Sequence, residues 1–166
     1  MDPDAPTDEF ARIAAASDSP MFIVTTCHDG DRAGCLVGFG CQVSIAPARF
    51  LVCLSVKNRT YRLARHASRL AVHLLGSDQD RLARLFGSYT GDEIDKFRGC
   101  AWKPDVHGVP ILDGVPAWFA GPITAATEFG DHTGFVITPD SATGAERIAP
   151  LLTMHSALGI DPGHPA

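Results

Sequence analysis

The sequence has 166 residues, of which 45% are hydrophobic and 20% are charged, a balance typical of a folded globular chain rather than a disordered one. The formal net charge is −5, which excludes a protein whose main partner is the nucleic-acid backbone, because such a partner requires a broad positive field. A chain of this length can bury enough surface to fold without a metal ion or a disulfide. We therefore expect a single domain over residues 1–166, with flexible tails at 1–9 and 159–166.

The amino-terminal segment is acidic. Its carboxylates are Asp2, Asp4, Asp8 and Glu9. A secretory signal would place basic residues there before an apolar run, and no stretch of the chain reaches the ~18 apolar residues of a membrane span. We therefore expect a cytoplasmic protein with no membrane partner. Its first helix is predicted to be capped by Thr7 and to run through Phe10 and Ile13.

Three β-like runs follow, at 21–27, 33–44 and 49–56. The first two are joined by HDGDR (28–32), whose Asp-Gly pair is typical of a hairpin turn. Pro47 separates the second run from the third, because proline interrupts a strand. Each run is apolar at most positions, so we expect strands that are buried on both faces.

The middle of the chain predicts two short helices around a further strand. The first helix is expected over 60–68 and the strand over 69–75. The second helix is the clearest local signal in the chain: Ser77 is its expected cap, acidic residues occupy its first turn, leucines follow at helical spacing, and Gly87 marks its end.

The last third of the chain continues with β-like segments. A stretch punctuated by Pro and Gly (107–116) leads into segments 116–129 and 131–138, and a final helix is expected over 145–158. Many short strands and few helices predict a mainly β protein, an antiparallel β-barrel with short helical insertions. A doubly wound parallel sheet is the lesser alternative, because strands and helices do not alternate regularly and no glycine fingerprint is present.

Neither the cysteines nor the histidines form a metal-binding motif. The cysteines are Cys27, Cys35, Cys41, Cys53 and Cys100. Their number is odd and no two form a C-x-x-C pair, so buried free thiols in a reducing cytoplasm are the simplest interpretation. The seven histidines lack the H-x-x-x-H spacing of a zinc site, and we expect no metal.

Two places combine turn chemistry with possible site chemistry. Three glycines fall inside the second β-like run: Gly34, Gly38 and Gly40. They indicate either a bulge or the close approach of a ligand to the backbone. In GDHT (130–133), Asp131 can orient His132 for proton or hydride chemistry beside a cofactor, but the spacing alone favours an ordinary hairpin turn built by Gly130 and Asp131.

The segment SVKNRT (55–60) ends a β-like run and opens a helix. Lys57, Arg59 and Thr60, together with amides at the helix start, suit an anionic group such as phosphate. An ordinary turn capped by Asn58 explains the segment equally well. No Gly-x-Ser-x-Gly motif is present, so nucleophilic hydrolysis has no support.

Seven segments of the chain occur in a characteristic order. They are PMFIVTT (20–26), QVSIAP (42–47), RFLVCLSVKNRT (49–60), RLAVHLLGSDQDRLARLFG (69–87), KFRG (96–99), GVPILDG (108–114) and GDHT (130–133). In this order, and over roughly residues 10–138, the chain resembles the flavin reductase-like, FMN-binding split-barrel family. The helix pattern D-Q-x-x-L-A-x-x-F-G and the Gly-Asp-His turn are the most specific parts of the resemblance.

The resemblance implies a homodimer of split β-barrels, antiparallel and Greek-key-like, with FMN held near the subunit interface. It also implies an NAD(P)H-dependent flavin reductase that transfers hydride from NADH or NADPH to FMN, or to FAD, and that can supply a separate monooxygenase component. The implied flavin contacts are Leu36, Val37, Gly38 and Phe39 at the ring, Ser55, Lys57, Asn58 and Thr60 at the phosphate, and Phe86 and Gly87 over the ring. His132 would lie beside the nicotinamide as a catalytic residue, oriented by Asp131.

The chain departs from the family pattern at the ring. Leu36 and Gly38 stand where members usually carry Thr and Ser, so side-chain hydrogen bonds to the flavin are lost. His73 stands at a strand end that is usually Asn. These departures keep two alternatives open: an FMN-binding module that nicotinamide does not reduce, and an oxidoreductase that uses another donor such as a deazaflavin.

Overall fold

The computed structural model describes residues 7–148 and 150–163, and within them it contains three α-helices and one 3₁₀ helix. They are α1 (Asp8–Ala16), α2 (Arg59–Ala64), α3 (Asp80–Gly87) and the 3₁₀ helix Lys96–Arg98. The predicted cap of α1 is confirmed, because the Thr7 side chain accepts a hydrogen bond from Phe10 N at 3.2 Å. Asn58 caps α2 in the same way, accepting from Thr60 N at 2.8 Å.

The predicted cap of α3 is wrong. The helix begins at Asp80 rather than directly after Ser77. The side chain of Gln79 accepts a hydrogen bond from Gly76 N at 2.8 Å, so residues 76–79 form a turn of their own before the helix starts. The acidic first turn and the end of α3 at Gly87 agree with the sequence pattern.

Ten strands make up the rest of the regular secondary structure in the described residues. They are β1 (Phe22–His28), β2 (Asp31–Val37), β3 (Gly40–Ile45), β4 (Ala48–Ser55), β5 (Arg69–Leu74), β6 (Trp102–Pro104), β7 (Pro110–Leu112), β8 (Ala117–Glu128), β9 (His132–Ile137) and β10 (Ser141–Gly144). Eight form one antiparallel sheet in the order β2-β1-β5-β8-β9-β4-β3, with β10 paired to β8, while β6 pairs with β7. The mainly β, antiparallel fold class is confirmed, and the doubly wound parallel alternative is wrong.

The β1–β2 hairpin forms where it was predicted. Asp29 and Gly30 both have positive φ (49° and 84°), as a type I′ turn requires. The next β-like run, predicted as one strand over 33–44, is divided between β2 and β3. The chain leaves the first of these strands after Val37 and enters the second at Gly40.

The two residues between β2 and β3, Gly38 and Phe39, close the sheet. These strands lie at opposite ends of the sheet order, and a two-residue connection cannot cross seven strands spaced about 4.8 Å apart. The sheet therefore curls until its edges meet. The Phe39 carbonyl accepts a hydrogen bond from Cys53 N at 2.9 Å, which holds this edge connection against β4.

The interior of the curled sheet is the main core. It contains alternate residues of five strands: Phe22, Val24, Cys35, Val37, Val52, Leu54, Leu70, Val72, Phe135 and Ile137. A second cluster packs α3 and the 3₁₀ helix on the outer face of β1, through Ile23, Ala83, Phe86 and Phe97. Strand β1 is thus buried on both faces as predicted, and β5 is buried as well, whereas β3 is exposed along most of its length.

The helix predicted over 145–158 does not form in the described residues of that segment. Leu151 and Thr153 instead make isolated bridges to Gly76 and Pro20, and turns follow at 154–159. Backbone pairing overrides local helix propensity here, because Leu152 is buried and both donates to Leu75 O (2.8 Å) and accepts from Met21 N (2.9 Å). We refer to residues 150–163 as the C-terminal arm.

The predicted tails fall partly within the described residues. Residues 1–6 and 164–166 lie outside the described residues, while Asp8 and Glu9 form the first turn of α1. Residues 159–163 lie against α3, since Gly163 N donates to Gly87 O at 3.0 Å. Among the described residues, no helix is both long and apolar enough to cross a membrane.

The cysteines are all free, but the prediction that they are buried holds for Cys35 alone. Cys27, Cys53 and Cys100 are half-buried, and Cys41 is exposed on β3. The apolar surroundings of Cys41 in the sequence suggested burial. The error arises because β3 is an edge strand whose apolar residues face outward.

Candidate functional site

A cavity of about 300 Å³ opens between the edge connection, the end of β4 and the end of α3. Nine of the twelve predicted site residues line it: Leu36, Val37, Gly38, Phe39, Ser55, Asn58, Phe86, Gly87 and His132. The volume lies at the lower end of the range of small-molecule sites. Residues that are far apart in the chain are thus brought to one concave surface.

Strand register explains how two of the predicted motifs meet. Strands β4 and β9 are antiparallel neighbours, and their pairing places Ser55 opposite His132. The carbonyl of Asp131 accepts a hydrogen bond from Val56 N at 3.0 Å. The start of SVKNRT therefore lies beside the GDHT turn, although more than 70 residues separate them in the chain.

His132 is fixed between a carboxylate and an aromatic ring. Its Nδ1 lies 2.8 Å from Asp131 Oδ1, and its ring centroid lies 5.1 Å from that of Phe39. The hydrogen bond to His132 holds the pKa of Asp131 below its usual value. Gly130 has a φ of 117°, so the segment is both a tight turn and a means of placing an oriented imidazole at the cavity.

The predicted phosphate residues are divided between the cavity and its surroundings. Ser55 and Asn58 line the cavity, and Lys57 lies close enough to Asp131 to lower the pKa of that carboxyl. Thr60 is buried and lines a neighbouring cavity of about 260 Å³, together with Arg59. The structure therefore brings Ser55 and Asn58 to the same cavity as the predicted ring residues, while Lys57, Thr60 and Asp131 do not line it.

Cys35 forms part of the cavity floor, which the sequence analysis did not anticipate. Its thiol is fully buried, and burial raises the pKa of this group, partly offset by hydrogen bonds with Thr60 and Asn58. The thiol is therefore protonated and acts as a small apolar surface near neutral pH. Burial of the cysteine was predicted, but its position at the cavity was not.

Lys96 supports the cavity from behind. Its ammonium group is buried and donates to Phe86 O at 2.9 Å and to Gly34 O at 3.1 Å, thereby joining the end of α3 to β2. Burial lowers the pKa of Lys96.

Gly34 is required at this point of β2 because a Cβ atom there would lie 2.8 Å from the Phe86 ring. Packing, rather than ligand approach, thus explains this glycine.

Further lining residues come from places that carry no sequence signal. Tyr89 and Thr90 follow α3, and Met154 and Pro162 belong to the C-terminal arm. The predicted helix over 145–158 concealed the contribution of the arm. No local pattern indicates that a segment so far along the chain returns to the edge connection.

Three other histidines lie away from this cavity. His28, His66 and His107 line a separate cavity of about 600 Å³, beside Arg69. The guanidinium of Arg69 is paired with Asp140 through two hydrogen bonds, at 2.8 and 2.5 Å. Within residues 7–148 and 150–163, no group of three or more His, Cys, Asp or Glu side chains is placed to hold a metal ion.

Comparison with known proteins identifies a family. The chain matches the family model described as "Flavin reductase like domain" over residues 15–159. It is 32% identical over 114 residues to the reductase subunit HsaB of a flavin-dependent monooxygenase from Mycobacterium tuberculosis, a match covering 66% of this chain and 57% of HsaB. It is 35% identical over 126 residues to the FMN reductase (NADH) RutF from Ancylobacter novellus, covering 75% of this chain and 66% of RutF.

The chain therefore spans less than two thirds of the length of these two relatives. A solved structure is also similar: nitrilotriacetate monooxygenase component B from Mycobacterium thermoresistibile superimposes with a TM-score of 0.78 at 25% identity. That match covers 87% of this chain and 80% of the other chain.

Proposed function

This chain belongs to the flavin reductase like domain family, and from that premise we propose that it is an oxidoreductase that transfers hydride from NADH or NADPH to FMN, or to FAD. The observation that carries the proposal is the cavity of about 300 Å³, in which apolar walls, polar side chains and an oriented imidazole face one space. A planar, partly polar ring system is the ligand class that such a space suits.

The residues at the cavity fit a flavin nucleotide. Leu36, Phe39 and Phe86 supply apolar surface for the ring system. Ser55 and Asn58 supply polar groups at the end of β4, and the cation of Lys57 lies in the same turn, which suits a phosphate. The cavity therefore has an apolar part for a ring and a polar part for an anion.

A bound nicotinamide and flavin supply the hydride chemistry themselves, so the protein needs no nucleophile of its own. Its task is to hold two rings at reacting distance. His132 lies at the cavity with Nδ1 engaged by Asp131, and Nε2 is the ring nitrogen that would face a nicotinamide. Phe39 supports the imidazole from its other side and is 55% exposed, so it can also contact a ligand.

The test is reduction of added flavin by purified protein under anaerobic conditions. FMN is mixed with a catalytic amount of protein, and the visible flavin absorbance is followed after NADH and, separately, NADPH is added. We expect rapid bleaching with at least one donor. Flavin that binds but keeps its colour with both donors would support the FMN-binding module instead, and the absence of flavin binding would overturn the proposal.

We further propose a homodimer that can serve a separate monooxygenase component. Exposed apolar side chains support an interface along the edge strand β3: Phe39 and Val43 are about half exposed and Ile45 is 85% exposed. The monooxygenase partner is proposed by analogy with the reductase subunit HsaB. A reaction that consumes NADH or NADPH fits the cytoplasmic location expected from the sequence.

A further inference from the structure

The C-terminal arm is anchored firmly at its first residues. Ser77 N donates to Pro150 O at 2.8 Å, and Leu152 pairs with both Met21 and Leu75 while its side chain is buried. A second attachment follows, where His155 N donates to Asp18 Oδ1 at 3.0 Å. The first residues of the arm are thus hydrogen-bonded to the chain just before β1 on one side and just after β5 on the other.

The far end of the arm is attached more lightly. Arg84 Nη1 donates to Gly159 O at 2.9 Å, and Gly163 N donates to Gly87 O at 3.0 Å. The bond from Arg84 lies at the surface, where a hydrogen bond contributes about 1 kcal/mol or less, while the bond from Gly163 joins two half-buried glycines. Between Leu152 and Gly163 the arm passes along the cavity, and its residues Met154 and Pro162 line the cavity directly.

The side chains of the arm occupy the space that two cavity glycines leave free. A Cβ atom on Gly38 would lie 2.5 Å from Met154 Cε, and a Cβ atom on Gly87 would lie 3.1 Å from Ile160 Cγ2. Ile160 belongs to the apolar cluster that also contains Leu36. The missing side chains at the edge connection and at the end of α3 are therefore replaced by apolar groups of the arm.

We propose that Met154, with Ile160 packed behind the lining residues Leu36 and Gly87, forms an apolar wall that determines how tightly the flavin ring is retained in the cavity. The inference rests on the proposed function, because it places the ring in this cavity. The arm is a wall rather than a plug, since about 300 Å³ remains open with the arm in place. Met154 lines the cavity and is half-buried in the protein alone, so a bound ring would cover more of its surface.

The test compares full-length variants Met154→Ala and Ile160→Ala with Leu158→Ala. Leu158 lies on the same arm but is 78% exposed and belongs neither to the cavity lining nor to the apolar cluster that holds Leu36 and Ile160, so it is the matched control. The dissociation constant and the dissociation rate of FMN, and of lumiflavin, which lacks the phosphate, are measured without any nicotinamide. We expect Met154→Ala to weaken binding of both ligands by about 10-fold, because the ring loses a few contacting groups. Ile160→Ala should weaken both by a smaller factor, since it acts through Leu36, and the control should remain unchanged.

A milder variant keeps the inference testable if the alanine variants fold poorly, as judged by their melting temperatures. Arg84→Gln changes an exposed side chain and removes its hydrogen bond to Gly159 O. Arg81→Gln on the same helix is its control. We expect the first variant alone to accelerate FMN dissociation.

The outcomes separate the two proposals. Unchanged or tighter binding of lumiflavin in folded Met154→Ala and Ile160→Ala overturns the wall, while the proposed function stands. Weakening of FMN without weakening of lumiflavin also overturns the wall, because the arm would then act on the phosphate. A wild-type protein that binds neither ligand overturns the proposed function, and the wall with it.

Discussion

At the scale of single residues, His73 shows how a departure from a family pattern becomes a structural element. The imidazole is fully buried, its Nδ1 lies 2.9 Å from Ile23 O, and its Nε2 accepts from Leu112 N at 3.1 Å. Since Nε2 accepts, Nδ1 carries the proton. One neutral side chain therefore joins β5 to β1 and to β7, and burial lowers its pKa to about 4.

This shift predicts that acid destabilises the fold through His73. The folded-state pKa of about 4 lies below the unfolded value of 6.5, so the unfolded chain takes up the proton first. The contribution of neutral His73 to the unfolding free energy is complete above pH 6.5. It is lost as the pH falls towards 4, and the loss amounts to about 3 kcal/mol. Denaturant unfolding at several pH values measures how the unfolding free energy depends on pH. His73→Gln should remove the loss between pH 6.5 and 4, and His107→Gln, at an exposed position, should keep it. Equal slopes in both variants would contradict the assignment.

His132 is the residue for which chemistry and binding separate most clearly. His132→Ala leaves Leu36, Phe86 and Ser55 in place, so FMN affinity should change little while turnover with NADH or NADPH falls by about 10-fold or more, because the nicotinamide loses a positioning contact. Steady-state kinetics and a flavin titration measure the two effects. The control His66→Ala lines a different cavity and should leave both unchanged. Normal turnover in His132→Ala would remove the proposed role.

At the scale of elements, the sequence predicted what local chemistry decides. The β1–β2 hairpin follows from Asp29 and Gly30, whose positive φ values no distant contact needs to impose. The C-terminal helix was wrong because Leu152 finds backbone partners on Met21 and Leu75 that a local pattern does not reveal. Strand β10 was missed for the same reason, since its four residues pair with β8 and carry little apolar pattern.

Gly121 on β8 lies against the backbone of Thr138, directly after β9, and this contact provides a test of how closely the elements pack. A Cβ atom on Gly121 would collide with the Thr138 carbonyl, which is backbone and cannot move aside easily. We expect Gly121→Ala to lower the unfolding free energy by about 3 kcal/mol, a typical cost of overpacking. Gly144→Ala is the control, because its Cβ would meet Ala117 at an ordinary 3.4 Å. Thermal or denaturant unfolding measures both, and equal stabilities would show that the crossing is looser than described.

At the scale of the whole molecule, the candidate site is an assembly of segments that the fold brings together. The motifs around Ser55 and His132 could be predicted from their own turn chemistry, whereas Leu36 and Phe86 were assigned to the site by the family resemblance. Their grouping depends on register, as in the pairing of Ser55 with His132. The cavity residues without a pattern, such as Tyr89 and Pro162, became visible only in three dimensions.

The proposed homodimer is also a property of the whole molecule. Ile45 is 85% exposed on the edge strand β3, so Ile45→Glu should place a charge in the interface and shift the protein to monomers. Val106→Glu is the control, since Val106 is 95% exposed and lies away from β3. Sedimentation or light scattering reports the mass in solution. A wild-type monomer, or a dimer that survives Ile45→Glu, would contradict an interface at this strand.

The connection through Gly38 and Phe39 has a consequence for how this chain can be altered. The same two residues close the barrel and form one side of the cavity. The exposed Phe39 side chain can be exchanged, whereas any side chain at Gly38 would displace Met154. A residue inserted or deleted here that moved β3 by one position would turn the side chains of β3 to the opposite face, so the length of this connection is constrained more strictly than the side chain of Phe39.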